Sequence, residues 1–294
     1  MILAAGFGTR LLPHTLIKPK PLFPLFNTPL LLLIISRLKA IGVDHIIINC
    51  HHLSTQLAKC LENVDNVTLI EEEMILGTGG GLRGAVNTFR DEPLLVTNCD
   101  IYHTVDIERF YDFHVKSDNM VSLAIHDYPR FNSLSIGGDC IKSFDPEQGE
   151  KKYAFTGLHL VQPEILQAIP ENVYSCIVDH YRGLLAGQFC IGAYSADGCF
   201  WTDIGTPGDY LALHEGIVHG HIPCWPEIEI PANLLCIADN SQISESARMT
   251  DWVCIGGAKI GGNAHISKSI IWEDVTIPAD AIIQNRIISR DDQL

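Results

Sequence analysis

The residues best suited to do chemistry stand at the start of the chain. Leu3-Ala4-Ala5-Gly6-Phe7-Gly8-Thr9-Arg10 carries an apolar run into a glycine loop, and Pro19-Lys20-Pro21-Leu22 follows downstream. A strand that feeds such a loop exposes backbone N–H groups, which can cradle phosphate oxygens. Gly6 and Gly8 let a ligand approach the backbone closely. Arg10 adds a planar fork of donors, and Lys20 a mobile point charge. The chemistry implied is binding and charge neutralisation of a phosphorylated substrate. Two better-known phosphate loops are excluded. A dinucleotide fingerprint needs a third glycine where Leu11 stands, and no Gly-Lys-Ser or Gly-Lys-Thr closes the segment.

The charge balance of the whole chain sharpens this reading. The 294 residues carry a net charge of −15, with 35 acidic against 20 basic side chains. Residues 1–43 nevertheless hold no Asp or Glu, while they hold Arg10, Lys18, Lys20, Arg37 and Lys39. So acidic a chain is a poor general binder of nucleic acid or anionic membrane, and neither is expected as a partner. A purely basic stretch within it suits a small anion. The ten cysteines form no C-x-x-C pair, and no signal peptide is recognisable; reduced thiols in a cytoplasmic protein are expected. The apolar run Leu30 to Ile35 is too short to cross a bilayer. Cys50, His51 and His52 are adjacent, but strand neighbours point to opposite faces, which favours a strand end over a metal site.

The elements that must position these residues alternate. Met1 to Ala5, Ile46 to Ile48, Val67 to Ile70, Pro93 to Thr97 and Met120 to Ile125 read as buried strands. Between them, Pro29 opens a helix whose Leu31, Ile34, Ile35 and Leu38 share a face. His52 to Leu61 and Ile107 to His114 also read as helices, and Gly77 to Gly84 is a second glycine-rich stretch, followed by a helical pattern from Leu82. The order implies an α/β fold, a Rossmann-like, mostly parallel sheet flanked by helices. From Ser133 the pattern turns hairpin-like around Ile136-Gly137-Gly138-Asp139. Tyr153 to Val161 reads as a strand carrying Gly157; Ile177 to Leu185 and Thr206 to Glu215 read as helices.

The C-terminal part changes period. Ile237, Ile243, Met249 and Ile255 are spaced by six, as are Ile260 and Ile266, and Ile271, Ile277 and Ile283. Gly256, Gly257, Gly261 and Gly262 sit beside them. A six-residue apolar repeat with glycines is the signature of a short left-handed parallel β-helix. The chain is therefore expected to divide into residues 1–228, which carry the glycine loop, and residues 229–294, a β-helix tail.

The string from Leu3 to Leu22 resembles the sugar-1-phosphate nucleotidyltransferases, whose L-A-A-G-x-G-T-R loop and P-K-P-L segment stand here intact. The resemblance extends over nearly the whole chain. Gly77-Thr78-Gly79-Gly80 is similar to the family's nucleotide-facing glycines, and Asn98-Cys99-Asp100 to its strand-end acid, with Cys99 where the family usually has Gly. Phe155-Thr156-Gly157 is similar to its sugar-pocket strand, and Trp201-Thr202-Asp203-Ile204-Gly205-Thr206 to its second acidic motif.

The resemblance implies transfer of a nucleotidyl group from a nucleoside triphosphate to a sugar 1-phosphate, with release of pyrophosphate. It implies Arg10 on the triphosphate, Lys20 at the reacting centre, and Mg²⁺ on Asp100 and Asp203. It also implies nucleotide contacts from Leu3, Ala4, Ala5, Gly6, Gly8, Thr9, Gly79 and Gly80, and sugar contacts from Thr156 and Gly157. On residue type alone, Asp100 serves equally as a turn cap and Asp203 as a helix N-cap. The family's sugar-phosphate lysine lies in a Glu-Lys-Pro segment that is missing here; Lys151 and Lys152 occupy that neighbourhood. Two branches are implied, mannose-1-phosphate guanylyltransferases by the tail and N-acetylmuramate-1-phosphate uridylyltransferases by Thr78 to Gly81. A non-catalytic nucleotide-sugar sensor or assembly subunit is the rival reading. The exposed end of a short β-helix implies a homo-oligomer formed through the tail.

Overall fold

The computed structural model describes residues 1–290, which form two compact units. One is Met1–Phe7 with Leu38–Thr202; the other is Gly8–Arg37 with Asp203 onward.

Among the described residues of the first unit, one sheet holds β1 (Ile2–Leu3), β2 (Ile46–Cys50), β3 (Val67–Glu71), β4 (Leu94–Asn98), β5 (Val121–His126), β6 (Ser135–Gly137), β7 (Cys140–Ser143), β8 (Ala154–Val161) and β9 (Gly192–Ser195). Their spatial order is β3-β2-β1-β4-β8-β5-β9-β7-β6. The first four run parallel, as do β5 and β9. β8 lies antiparallel between β4 and β5, and the hairpin β6–β7 ends the sheet. Parallel neighbours need crossovers, which the helices Ser54–Leu61 and Gly77–Gly84 supply between β2, β3 and β4. Alternation along β5 feeds two cores. Val121, Leu123 and Ile125 pack with Leu82, Leu166 and Tyr181, whereas Ala124 packs with Phe110, Leu158 and Leu160.

Two expectations are corrected here. Sequence periodicity starts a helix at Leu82, but Gly77–Gly84 is itself helical. Glycine disfavours a helix by about 1 kcal/mol per residue relative to alanine. Close packing explains its use: a Cβ on Gly79 would lie 2.8 Å from Ser175 Oγ, and one on Gly80 2.7 Å from Leu76 Cβ. The second correction concerns the thiols. Cys140 and Cys190 form a disulfide. Their separation of 50 residues hides the pair in the sequence, and the pairing of Cys140 with Gly192 brings the two segments together.

In the second unit, residues 8–37 run through 3-10 turns at Thr9–Leu11, His14–Leu16 and Lys20–Leu22. A small hairpin, Pro24–Leu25 with Thr28–Pro29, then leads into the helix Leu30–Ala40. The helix Pro207–Val218 is capped by Thr206, whose hydroxyl accepts the Asp209 N–H; the cap is not Asp203.

The tail stacks β10 (Leu235–Ile237), β11 (Gln242–Ile243), β12 (Arg248–Ile255), β13 (Lys259–Ile260), β14 (His265–Ile271), β15 (Thr276–Ile277), β16 (Ile282–Gln284) and β17 (Ile287–Ile288) in parallel ladders. Gln242, Lys259 and Thr276 are in register, as are Arg248, His265 and Ile282, each seventeen residues on from the last. Ile255, Ile260, Ile266, Ile271, Ile277 and Ile283 fill the interior, with Ile243 and Met249 at its margin. Ile237 departs from the pattern and is exposed. Gly256 and Gly261 permit coil-to-coil approach: their Cβ atoms would lie 2.7 Å from Glu273 N and 2.5 Å from Ala279 N. No helix among the described residues is long and apolar enough to cross a membrane.

Candidate active site

The second unit brings together Gly8, Arg10, Lys20 and Asp203. Gly8 adopts a left-handed backbone, φ 63°, at the entry to the first 3-10 turn. A Cβ there would be 2.9 Å from Thr15 Cγ2 and 3.5 Å from the Lys20 Cβ, so the chain folds back on itself at this glycine. The Thr15 hydroxyl donates to the Gly8 carbonyl at 3.2 Å and pins the return. Lys20 is thereby buried against Gly8. Arg10, mostly exposed, places Nη2 3.5 Å from the buried Asp203 Oδ2. Gly205 makes room for the pair: its Cβ would fall 2.4 Å from Asp203 Oδ2 and 2.8 Å from Arg10 Nη1. Gly205 lies inside a quoted motif, yet its type alone did not mark it for this role.

The first unit holds the strand end, the other acid and the sugar-strand residues. Leu3 closes β1, and its carbonyl accepts the Cys99 N–H at 3.1 Å. Ala4 and Ala5 are buried, whereas Gly6 is exposed. A Cβ on Gly6 would meet nothing within 4 Å, and its φ is not positive. Neither backbone strain nor crowding accounts for that glycine. Asn49 aims the loop. Its Oδ1 accepts the Ala4 N–H at 3.0 Å, and its Nδ2 donates to Glu72 Oε1 at 2.6 Å. The sequence reading missed this buried pair; a lone Asn inside the run Ile46 to Cys50 was its signal.

Asp100 follows β4 in the turn before Ile101–His103. Gly157, φ +81°, sits in a bulge of β8 where its Cβ would be 2.6 Å from Asn98 Nδ2. The bulge thus packs on the strand end that carries Asp100. Thr156 is buried, and its hydroxyl donates to the Ala124 carbonyl at 2.8 Å and accepts the Leu158 N–H at 3.2 Å. Its side chain serves the bulge. Gly79 and Gly80 are buried against residues 173–177, and the Gly79 N–H donates to the Ser175 carbonyl at 2.8 Å. Thr9 is exposed in the first 3-10 turn. Lys151 lies 4.6 Å from the Tyr153 ring centroid.

As metal ligands, Asp100 and Asp203 offer hard carboxylate oxygens. Among the described residues no three His, Cys, Asp or Glu side chains converge. Each carboxylate, Asp100 in the first unit and Asp203 in the second, is of a type that suits Mg²⁺, which is commonly held by one or two carboxylates together with water and substrate phosphate.

A mostly parallel sheet with an acid at a strand end in the first unit, and a glycine turn with an Arg–Asp pair in the second, are features of a phosphate-handling α/β enzyme. The nucleotidyl transferase family model matches residues 1–219, and the chain belongs to that family. Among its relatives is the mannose-1-phosphate guanylyltransferase of Mycobacterium tuberculosis, 26% identical over 299 residues, covering 97% of this chain and 82% of that protein. Mannose-1-phosphate guanylyltransferase 1 of Arabidopsis thaliana is 27% identical over 318 residues, covering 98% and 85%. The crystal structure of HddC from Yersinia pseudotuberculosis complexed with GMP-PN is similar in fold. Its TM-score is 0.59 at 24% identity, and the match covers 71% of this chain and 94% of that one.

Proposed function

We propose that this nucleotidyl transferase joins a sugar 1-phosphate to a nucleoside triphosphate, with GTP and mannose 1-phosphate as the favoured pair. The observation that carries the reaction is the loop from Gly6 to Lys20 with Arg10 set against Asp203. The preferred pair is supported by relatives that align over the tail as well as the catalytic region.

An oxygen of the sugar phosphate attacks the α-phosphorus, a new P–O bond forms, and the bond to the β-phosphate oxygen breaks as pyrophosphate leaves. Both reactants are polyanions, so positioning and charge neutralisation do most of the work. The N–H groups of the Gly6–Thr9 loop receive the phosphates, with Leu3 to Ala5 and Gly79 and Gly80 flanking the nucleoside. Arg10 holds the departing pyrophosphate; Lys20 holds the phosphates at the reacting centre. Asp100 and Asp203 are the proposed ligands of Mg²⁺, which when bound supplies positive charge to the phosphate oxygens. The β8 bulge at Thr156 and Gly157 lies on the sugar side.

The remaining assignments rest on sequence pattern. Residues 1–228 are the catalytic domain and residues 229–294 the tail, a left-handed β-helix whose hand follows from the six-residue repeat; its last four residues, 291–294, lie outside the described residues. The tail mediates self-association, and the protein works in the cytoplasm. The test is pyrophosphate release from Mg²⁺ with each of UTP, GTP, dTTP, CTP and ATP against a panel of sugar 1-phosphates. Release with one pair, lost in Asp100→Ala, supports the reading. Nucleotide binding without release from any pair would favour a sensor.

A further inference from the structure

The segment that carries Lys20 is not held by its own turns alone. Three of its side chains converge on Trp272, a tail residue at the end of β14 that is 1% exposed. The Phe23 ring meets Trp272 edge-on at 4.8 Å between centroids. The His14 ring lies 5.8 Å away, and Lys18 Nζ stands 5.1 Å from the indole centroid. Tail residues complete the clamp. His14 Nδ1 is 2.8 Å from Ser289 Oγ, and Lys18 is ion-paired with Glu273. Farther on, the Asn27 side chain donates to the carbonyls of Cys236 and Ile255 at 3.1 and 2.9 Å. His14 and Lys18 precede Lys20 and Phe23 follows it, so the lysine is bracketed by residues that the tail holds.

We propose that Trp272 is a positioning residue for nucleotidyl transfer, fixing the 14–23 segment so that Lys20 meets the phosphates without a search over loop conformers. The tail then acts in the catalytic step as well as in any self-association. This rests on the roles proposed above for Arg10 and Lys20. Aromatic pairs in edge-on geometry attract beyond their area burial, so a smaller or flatter contact loosens the segment measurably. Misplacement of a positioned group by about 1 Å costs up to about a hundredfold in rate.

The test compares wild type, Trp272→Leu and Trp272→Phe in the full chain. Pyrophosphate binding is measured by calorimetry, and kcat and KM by pyrophosphate release. Trp272→Leu should weaken pyrophosphate binding about tenfold and lower kcat by about as much, with the sugar 1-phosphate KM within about twofold. Trp272→Phe keeps an aromatic face for Phe23 and Lys18 and should recover most of both. If Trp272→Leu does not fold, the Lys18→Met, Ser289→Ala double variant removes two anchors without opening a large cavity and should show the same pattern. Wild-type binding and kcat in folded Trp272→Leu, or in the double variant, would overturn the proposal, as would a wild-type protein that does not bind pyrophosphate. Trp272-dependent pyrophosphate binding by a protein that turns over no substrate pair would instead sink the proposed reaction and leave the positioning role standing.

Discussion

Arg10 Nη2 lies 3.5 Å from Asp203 Oδ2, a pairing of a 57%-exposed guanidinium with a 10%-exposed carboxylate. The guanidinium reaches solvent while the carboxylate does not, so on the proposed reading Arg10 is the partner able to meet phosphate oxygens. Gly205 keeps the pair open. Gly205→Ala should lower turnover about tenfold or more by displacing both groups, while overpacking costs about 1–3 kcal/mol. Gly208→Ala, whose nearest atom would be Thr206 Oγ1 at 3.7 Å, is the control. Equal turnover in the two variants would remove Gly205 from the site.

Gly6 offers the complementary experiment. A Cβ there meets no protein atom within 4 Å. Gly6→Ala should leave the melting temperature unchanged and raise the nucleotide KM about tenfold, because the methyl group stands where backbone must approach phosphate. An unchanged KM would take the ligand away from this part of the loop.

Asn49 supports the loop from beneath. Asn49→Leu leaves the Ala4 N–H and the Glu72 carboxylate without their partner. A buried polar group that loses its hydrogen bond costs about 1–3 kcal/mol, more for a charged one. Urea denaturation should show a loss of at least that size. Glu72→Gln, which retains an acceptor for Asn49, should cost less.

Much of this architecture was legible, and the exceptions share a cause. The strands at Ile46, Val67, Leu94 and Val121 announce themselves as apolar runs, and the tail coils as isoleucines six apart. These signals are local. The helix at Gly77–Gly84 was not legible, because what crowds its glycines is distant in sequence, Ser175 at Gly77 and Gly79 and Asn49 at Gly81. The disulfide between Cys140 and Cys190 and the Asn49–Glu72 pair are likewise products of sheet register. Of the site, the motifs showed the residue types of Arg10, Lys20, Asp100 and Asp203. The contacts that orient Arg10 and Lys20, from Gly205 and Thr15, appear only once the chain is folded.

Two buried histidines weaken the fold in acid. Burial lowers His214 to about 4; its Nδ1 faces the Tyr210 carbonyl at 3.0 Å and its Nε2 accepts the Phe26 N–H at 3.4 Å. Burial, aided by the amino-terminal charge, lowers His159 to about 3 between the rings of Phe155 and Tyr181. Both folded values lie below the unfolded value of 6.5. The unfolded chain thus binds the extra protons, and the contribution is complete above that pH and lost as pH falls toward 4 and 3. At about 1.4 kcal/mol per pKa unit, His214 alone accounts for about 3 kcal/mol. The urea midpoint should fall between pH 7.5 and 5.0, and fall less in His159→Leu. A midpoint independent of pH would contradict this reading.

The most direct test of the proposed reaction is phosphorus NMR of the wild-type protein with Mg²⁺, GTP and mannose 1-phosphate. The sugar phosphate monoester signal should decay as a nucleoside diphosphate-sugar pair and pyrophosphate grow in equal amounts, with Asp203→Asn and Asp100→Ala silent. GTP consumed to GDP and inorganic phosphate, with the sugar phosphate untouched, would contradict it.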